Sequence, residues 1–126
     1  MENAEEFVRT TWTAIQAGDF SALETSLAPD AQWRAVEDGP WNCENRAMIL
    51  RVMQDRRSRI LEGEVDSVTV VGDRIVVGFR PLKKGLDAWP LDNGVRYVVL
   101  TLRDGLVSEL KGHATKNAAL DYANAR

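Results

Sequence analysis

This chain has little of the residue chemistry on which metal sites and covalent catalysis depend. It holds one histidine, His113, and one cysteine, Cys43, among 126 residues. A metal site needs a cluster of such ligands, and a single cysteine cannot form an intramolecular disulfide. No glycine-rich phosphate loop and no nucleophile motif is present either. The sequence therefore predicts a protein without a metal or cofactor, and it points to a fold more readily than to a reaction.

A basic surface and a membrane-spanning segment are missing as well. The net charge is −3, and the densest basic run, "RVMQDRRSR" at residues 51 to 59, is typical of the solvated face of a helix. No apolar run approaches the roughly 18 residues that a membrane helix needs, and no signal peptide is recognisable. We expect a cytoplasmic protein that binds neither nucleic acid nor membranes.

Helical spacing of apolar residues recurs in the first half of the chain and at its end. It predicts a helix over residues 3 to 17, a short helix that Asp19 caps and that ends near residue 27, and a long helix over 46 to 61. A closing helix is predicted from Thr115, its N-cap, to about residue 123.

Strands account for most of the remainder. "AQWRAV" at residues 31 to 36 alternates between two faces, and four further β-branched runs lie between residues 63 and 114. Gly72-Asp73 and Asp104-Gly105 mark tight turns between them, and residues 37 to 45 and 82 to 94 form loops. Helices segregated from a largely antiparallel sheet predict an α+β fold, here as one domain over residues 1 to 126.

Four segments in this order resemble the nuclear transport factor 2-like superfamily, and its SnoaL-like branch in particular. They are "AIQAGDFSALETSLAPDAQW" (14 to 33), "VVGDRIVVGFR" (70 to 80), "LTLRDGLVSEL" (100 to 110) and "NAALDYA" (117 to 123). The resemblance implies a curved antiparallel or mixed sheet wrapped around the N-terminal helices, as a cone with an interior apolar pocket. It does not fix an activity, because this fold hosts isomerases, cyclases, hydrolases and non-catalytic binders.

The catalytic side chains of these relatives are missing at the matching positions. The base aspartate of the ketosteroid isomerases corresponds to Ala35, their oxyanion-hole tyrosine to Thr11, and their oxyanion-hole acid to about Val98. The acid of SnoaL-type cyclases corresponds to Gly112. Enolising a carbonyl compound needs a base and a donor that stabilises the enolate, so this chemistry is not expected here.

The alternation of each strand assigns residues to the pocket, with core packing as the alternative for each of them. Trp41 and Trp89 are added because they lie in loops that should flank the mouth, whereas Trp12 is assigned to the core. The predicted pocket residues are Thr11, Ile15, Trp33, Ala35, Trp41, Met53, Val77, Phe79, Trp89, Val98, Leu100, Leu110 and Gly112.

His113, Arg96 and Tyr97 are the candidates for a catalytic role. His113 falls on the face opposite Leu110, toward a dimer partner or solvent, unless a bulge beside Gly112 reverses it. Tyr97 has the same orientation, while Arg96 shares the face of Val98 and could hold an acidic group or lie in solvent. Cys43 is either a reactive thiol or an inert buried one.

Three functions remain open on the sequence alone. The first is binding of a small apolar or aromatic molecule. The second is a cofactor-independent isomerase, cyclase or hydrolase acting on an apolar or polycyclic substrate, and the third is a non-catalytic assembly domain. A homodimer through the outer sheet face is predicted, with the apolar residues Val68, Val70, Val76, Val99 and Val107 and with His113.

Overall fold

A computed structural model describes residues 3–34, 42–55, 63–81 and 96–125. The described residues contain helices α1 (Ala4–Gln16), α2 (Ser21–Ser26), α3 (Arg46–Asp55) and α4 (Lys116–Asn124). They also contain strands β1 (Leu27–Arg34), β2 (Gly63–Val71), β3 (Arg74–Pro81), β4 (Arg96–Arg103) and β5 (Leu106–His113). The predicted α+β fold is confirmed.

The five strands form one open, mixed sheet in the order β1-β5-β4-β3-β2. Only β1 and β5 run parallel; the other neighbours are antiparallel. The predicted turns join the hairpins: Gly72 has a φ of 62°, and Asp104 and Gly105 have φ values of 55° and 80°. Asp and Gly tolerate this left-handed backbone better than most residues, which explains their position between β4 and β5.

The predicted capping is confirmed at α4 but not at α2, where Phe20 is the N-cap and makes no side-chain cap hydrogen bond. Asp19 Oδ1 accepts a hydrogen bond of 3.0 Å from the backbone N–H of Ser21 at the start of α2. Ser21 Oγ donates a second bond of 2.6 Å to the same oxygen, and this side-chain bond, helped by the backbone bond, holds the pKa of the Asp19 carboxyl below its usual value. At α4, Thr115 Oγ1 accepts a bond of 3.1 Å from the N–H of Ala118, as expected of an N-cap.

The first strand begins earlier than its pattern predicts. β1 starts at Leu27, before the predicted start at residue 31, and includes Pro29. Proline is tolerated here because β1 is an edge strand, and its pairing with β5 is irregular between Leu27 and Gln32. Trp33 and Ala31 are both buried, as their shared parity predicts.

The two faces of the sheet are covered by different helices. The inner face packs against α1, α2 and α3 and forms the main hydrophobic cluster, which includes Trp12, Leu27, Ile49 and Ile75. The outer face carries a second cluster beneath α4, with Val76, Tyr97, Val99, Ala119 and Ala123. Arg74 fixes the end of α4 through hydrogen bonds from Nη1 to the backbone oxygens of Tyr122 and Ala125, the latter 2.6 Å long.

Three of the six residues predicted for an outer dimer face lie elsewhere. Val68 and Val107 belong to the inner cluster. Val70 pairs with the inward-facing Ile75, although it is 48% exposed. Val76 and Val99 do face outward, but α4 buries them within the same chain.

Two bulges explain these parity errors. Across β4 and β5, Thr101 pairs with Glu109 but the next residue, Leu102, pairs with Val107. Ser108 is therefore an inserted residue, and Val107 faces inward. Across β2 and β3, Phe79 pairs with Val65 but the preceding residue, Gly78, pairs with Ser67. Asp66 is therefore an inserted residue, and Val68 faces inward. One inserted residue reverses the alternation of the strand beyond it.

His113 lies on the outer face, where it packs against α4. It pairs with Tyr97 across β5 and β4, and its ring centroid is 5.1 Å from that of Tyr122. Its Nε2 is buried and has no hydrogen-bond partner among the described residues. Burial, helped by the charge of Lys111, lowers the pKa of His113, and the carboxylate of Glu109 opposes the shift.

The lowered pKa of His113 predicts a loss of stability in mild acid. Since the folded-state pKa lies below the ordinary value near 6.5, the unfolded chain takes up the proton first as the pH falls. Stability should therefore decline below about pH 6.5 and stop declining once the folded state is protonated too. Denaturant unfolding at pH 7.5 and 5.5 should show a larger loss for wild type than for His113→Ala. Equal losses would assign the effect to other groups.

Candidate functional site

An apolar cavity of about 100 Å³ lies between the helices and the inner face of the sheet. α1, α2 and α3 line it on one side, and β1, β3, β4 and β5 line it on the other. Nine of the predicted pocket residues line it: Thr11, Ile15, Trp33, Met53, Val77, Phe79, Val98, Leu100 and Leu110.

The other predicted pocket residues lie elsewhere or outside the described structure. Gly112 is buried opposite Val98 but does not line the cavity. Ala35, Trp41 and Trp89 lie outside the described residues. Tyr97 and His113 lie on the outer face and do not line the cavity, since each is one residue out of phase with Val98 or Gly112.

Several lining residues are missing from the prediction. Phe7, Val8, Leu23, Ser26, Leu27, Ile49 and Val107 all line the cavity. Phe7 and Val8 belong to the same amphipathic stripe of α1 as Thr11 and Ile15, so helical spacing could have identified them. Val107 could not have been found from alternation, because the bulge at Ser108 reverses its face.

Trp12 lines the cavity, which corrects its assignment to the core alone. Its ring lies 4.8 Å from that of Phe79, at an interplanar angle of 53°. Trp33 contributes a second indole from β1. Three aromatic side chains, Trp12, Trp33 and Phe79, therefore form part of the wall.

Phe7, Thr11 and Ser26 line both the cavity and a surface groove between α1 and α2. The groove has a volume of about 660 Å³ and is lined mainly by small hydroxyl residues from the two helices. These three residues therefore lie between the groove and the cavity.

Arg96 is the one charged residue among the described residues that line the cavity. It opens β4 and pairs with Phe79, which places its side chain on the inner face. The Nε atom is buried, and burial lowers the pKa of the guanidinium to about 9. Of the two environments predicted for Arg96, the side chain lies in the pocket and not on the solvated surface.

Cys43 and Glu44 are held against β1 by two kinds of contact. Cys43 and Trp33 exchange backbone hydrogen bonds of 3.0 and 2.9 Å. Arg34 donates to both carboxylate oxygens of Glu44, at 2.7 and 3.2 Å, and this pairing holds the pKa of Glu44 below its usual range. Together these contacts hold Cys43 and Glu44 against the strand that carries Trp33.

Cys43 is buried, and burial is the main reason that its thiol pKa is raised. The nearby charge of Glu44 acts in the same direction, and Arg34 opposes it. A thiol with a raised pKa carries little thiolate at neutral pH, so Cys43 is placed as an inert packing residue and not as a nucleophile.

The described residues offer few reactive groups around the cavity. The polar lining residues among them are Thr11, Ser26 and Arg96, and no Asp, Glu, His, Cys or Tyr is included. The described part of the chain also contains no group of three or more His, Cys, Asp or Glu residues that could hold a metal ion. None of its helices is long and apolar enough to cross a membrane.

Comparison with known proteins identifies the family. Residues 8–110 match the model of the SnoaL-like domain. No curated protein matches the chain. Solved structures with the same fold include a proposed polyketide cyclase from Sinorhizobium meliloti, which is 21% identical with a TM-score of 0.63 over 86% of this chain and 94% of that one.

Two further structures show how widely this fold is used. An NTF2-like protein of unknown function from Burkholderia pseudomallei is 20% identical, with a TM-score of 0.62 over 99% of this chain and 100% of that one. An LEH-like epoxide hydrolase from M. tuberculosis is 13% identical, with a TM-score of 0.61 over 92% and 85%. With the family match over most of its length, the chain belongs to the SnoaL-like domain family, and it has the fold of the NTF2-like protein from Burkholderia pseudomallei.

Proposed function

We propose that this protein binds a small, largely apolar molecule in the cavity between the helices and the sheet. The observation that carries the proposal is the cavity itself. Protein interiors are close-packed, and voids much larger than a water molecule are few. At about 24 cal/mol per Å³, a cavity of about 100 Å³ lowers stability by about 2 kcal/mol. A binding function is a reason for a chain to keep a space that side chains could fill.

The dimensions and the walls favour a ligand of about one aromatic ring. Engineered cavities of about 150 Å³ with similar apolar walls stay dry and bind benzene. Trp12, Trp33 and Phe79 offer ring faces and edges against which a flat molecule can stack. The described walls contribute little hydrogen bonding, so shape and apolar area should dominate the affinity.

Toluene is a suitable first probe, and we expect it to change the tryptophan fluorescence of the protein saturably. The change should come from Trp12 and Trp33, because both indoles line the cavity. A binder selective for the folded state also raises the melting temperature. Trp33→Phe should reduce the fluorescence change while it keeps the shift in melting temperature. Absence of both signals over a series of single-ring arenes would overturn the proposed function.

A reaction in the same cavity is the second candidate, and Arg96 is the observation that favours it. A guanidinium in apolar surroundings can stabilise negative charge that develops on a substrate oxygen. The structural relatives include a proposed polyketide cyclase and an epoxide hydrolase. A proton-transfer reaction also needs a base, and the described lining residues provide none. Binding therefore remains the first candidate.

The remaining partner assignments stay predictions from the sequence. A cytoplasmic location without nucleic-acid partners is expected from the single cysteine and the acidic charge. The homodimer also stays a prediction, although α4 covers Val76 and Val99, two of the residues assigned to its interface. The exposed edge near Val70 is another surface that an assembly role can use.

A further inference from the structure

The position of Arg96 narrows the chemical class of the ligand. Its side chain lines a cavity whose other described lining residues are apolar apart from the hydroxyls of Thr11 and Ser26. These hydroxyls come from α1 and α2, whereas Arg96 comes from the first position of β4. Among the described residues, the cavity therefore combines aromatic and aliphatic walls with a single positive charge.

A positive charge in such a place has an electrostatic consequence. Burial lowers the pKa of Arg96 to about 9, yet the side chain remains protonated at neutral pH. A desolvated cation attracts an anion more strongly than a solvated one does, because less of the interaction is screened by water. An anionic group that enters the cavity is therefore favoured over a neutral group of the same shape.

The geometry of arginine specifies the kind of anion. A guanidinium is planar and presents parallel N–H donors, which match the two oxygens of a carboxylate. A second ligand charge would have no counterpart, since Arg96 is the one charged residue that the described lining contains. A compact aromatic or aliphatic body with one carboxylate satisfies both the walls and the charge.

We infer that the ligand is a small apolar monocarboxylate, whose hydrocarbon part lies against Trp12, Trp33 and Phe79 and whose carboxylate is held by Arg96. This inference rests on the proposed function, because it assigns the ligand class for the same cavity. It assigns Arg96 as the residue that selects between charged and neutral ligands of equal size. The hydroxyls of Thr11 and Ser26 are then left for secondary polar contacts.

Benzoate and benzamide provide the test, because they differ in charge and hardly in shape. Titration calorimetry at pH 7.5 should show benzoate binding at least tenfold more tightly than benzamide to the wild-type protein. Arg96→Met, which keeps an unbranched apolar stem and removes the charge, should abolish this preference. Arg96→Lys should retain part of it, since the charge remains but the planar donor pair is lost.

Arg103→Met is the matched control. Arg103 lies on the same strand but pairs with the exposed Asp30 at 2.6 Å and does not line the cavity. Its loss should leave the preference for benzoate intact. Melting temperatures of all three variants establish that they are folded, and Arg96→Lys keeps the test valid if Arg96→Met fails to fold.

The outcomes separate the inference from the proposed function. If toluene binds but benzoate is no tighter than benzamide, or if folded Arg96→Met keeps the preference, the monocarboxylate assignment is wrong and the apolar binding function stands. If toluene, benzamide and benzoate all fail to bind, the proposed function falls and the assignment of the ligand class falls with it.

Discussion

Val98→Phe is expected to abolish binding in the cavity while it changes the free energy of unfolding by less than about 1 kcal/mol. Val98 is buried and lines the cavity from the middle of the sheet. A phenyl ring at this position would project into space that is not filled by the described side chains. The added apolar contacts then offset much of the strain that a larger residue otherwise introduces.

Val99→Phe is the matched variant, since the two positions are adjacent on one strand and face opposite sides. Val99 is fully buried in the outer cluster beneath α4, among Val76, Tyr97 and Ala119. Overpacking at such a site typically costs about 1–3 kcal/mol. Its effect on the cavity should be small, so Val99→Phe should lose stability and keep binding.

Urea unfolding and toluene titration of the two variants provide the measurement. The expected pattern is crossed: one variant loses binding and the other loses stability. If Val98→Phe loses as much stability as Val99→Phe, the region around Val98 is a tightly packed core. If Val98→Phe still binds toluene with wild-type affinity, binding occurs somewhere other than this cavity.

Alternation predicted the inner face correctly wherever the strands are regular. Ile75, Val77 and Phe79 on β3 face the helices, and so do Val98 and Leu100 on β4. β3 and β4 are central strands paired over six consecutive positions without a register shift. In such strands the two-residue period holds from end to end, so sequence suffices to assign the faces.

The same reasoning failed where a strand contains an inserted residue. The bulges at Asp66 and Ser108 are not marked by glycine, and the low strand propensity of aspartate does not by itself locate a bulge. Their positions depend on pairing between strands, which a single strand's pattern does not contain. Val68 and Val107 were assigned to the wrong face for this reason.

The cover provided by α4 is the other feature that sequence reasoning missed. A closing helix was predicted at the correct residues, but its packing partner was not. Its buried residues are Ala119 and Ala123, four positions apart on one side of the helix. Such small residues allow a helix to lie close to a sheet but give a weak apolar signal, so the outer face was assigned to a second subunit instead.

The fold alone does not decide what happens in the cavity. Relatives of the same shape are described as a cyclase, an epoxide hydrolase and a protein of unknown function. Their identities to this chain are between 13% and 21%, too low to carry a site residue across. What distinguishes this cavity is its own lining, in which Thr11 and Val98 stand where the resemblance places a hydroxyl donor and an acid in the isomerases.

Ala119→Asp should be the most destabilising of the changes considered, with a loss of about 3–5 kcal/mol. Ala119 is fully buried between α4 and the outer face, where it packs with the apolar residues of the second cluster. A carboxylate there would be desolvated beside Val76 and Val99. The chain can reduce this cost by protonating the carboxylate or by releasing α4 from the sheet, and the release exposes the apolar strip beneath the helix.

Ala118→Asp is the control, because Ala118 is the exposed neighbour and lies in the first turn of α4. A negative charge near a helix N-terminus is favourable, so this variant should be as stable as wild type or slightly more stable. Urea unfolding gives both free energies, and light scattering shows whether Ala119→Asp self-associates through the strip that wild-type α4 covers. Equal stability of the two variants would mean that α4 is not docked on the sheet. If Ala119→Asp loses stability but stays monomeric, the uncovered strip of Val76, Tyr97 and Val99 is too small to hold two copies together.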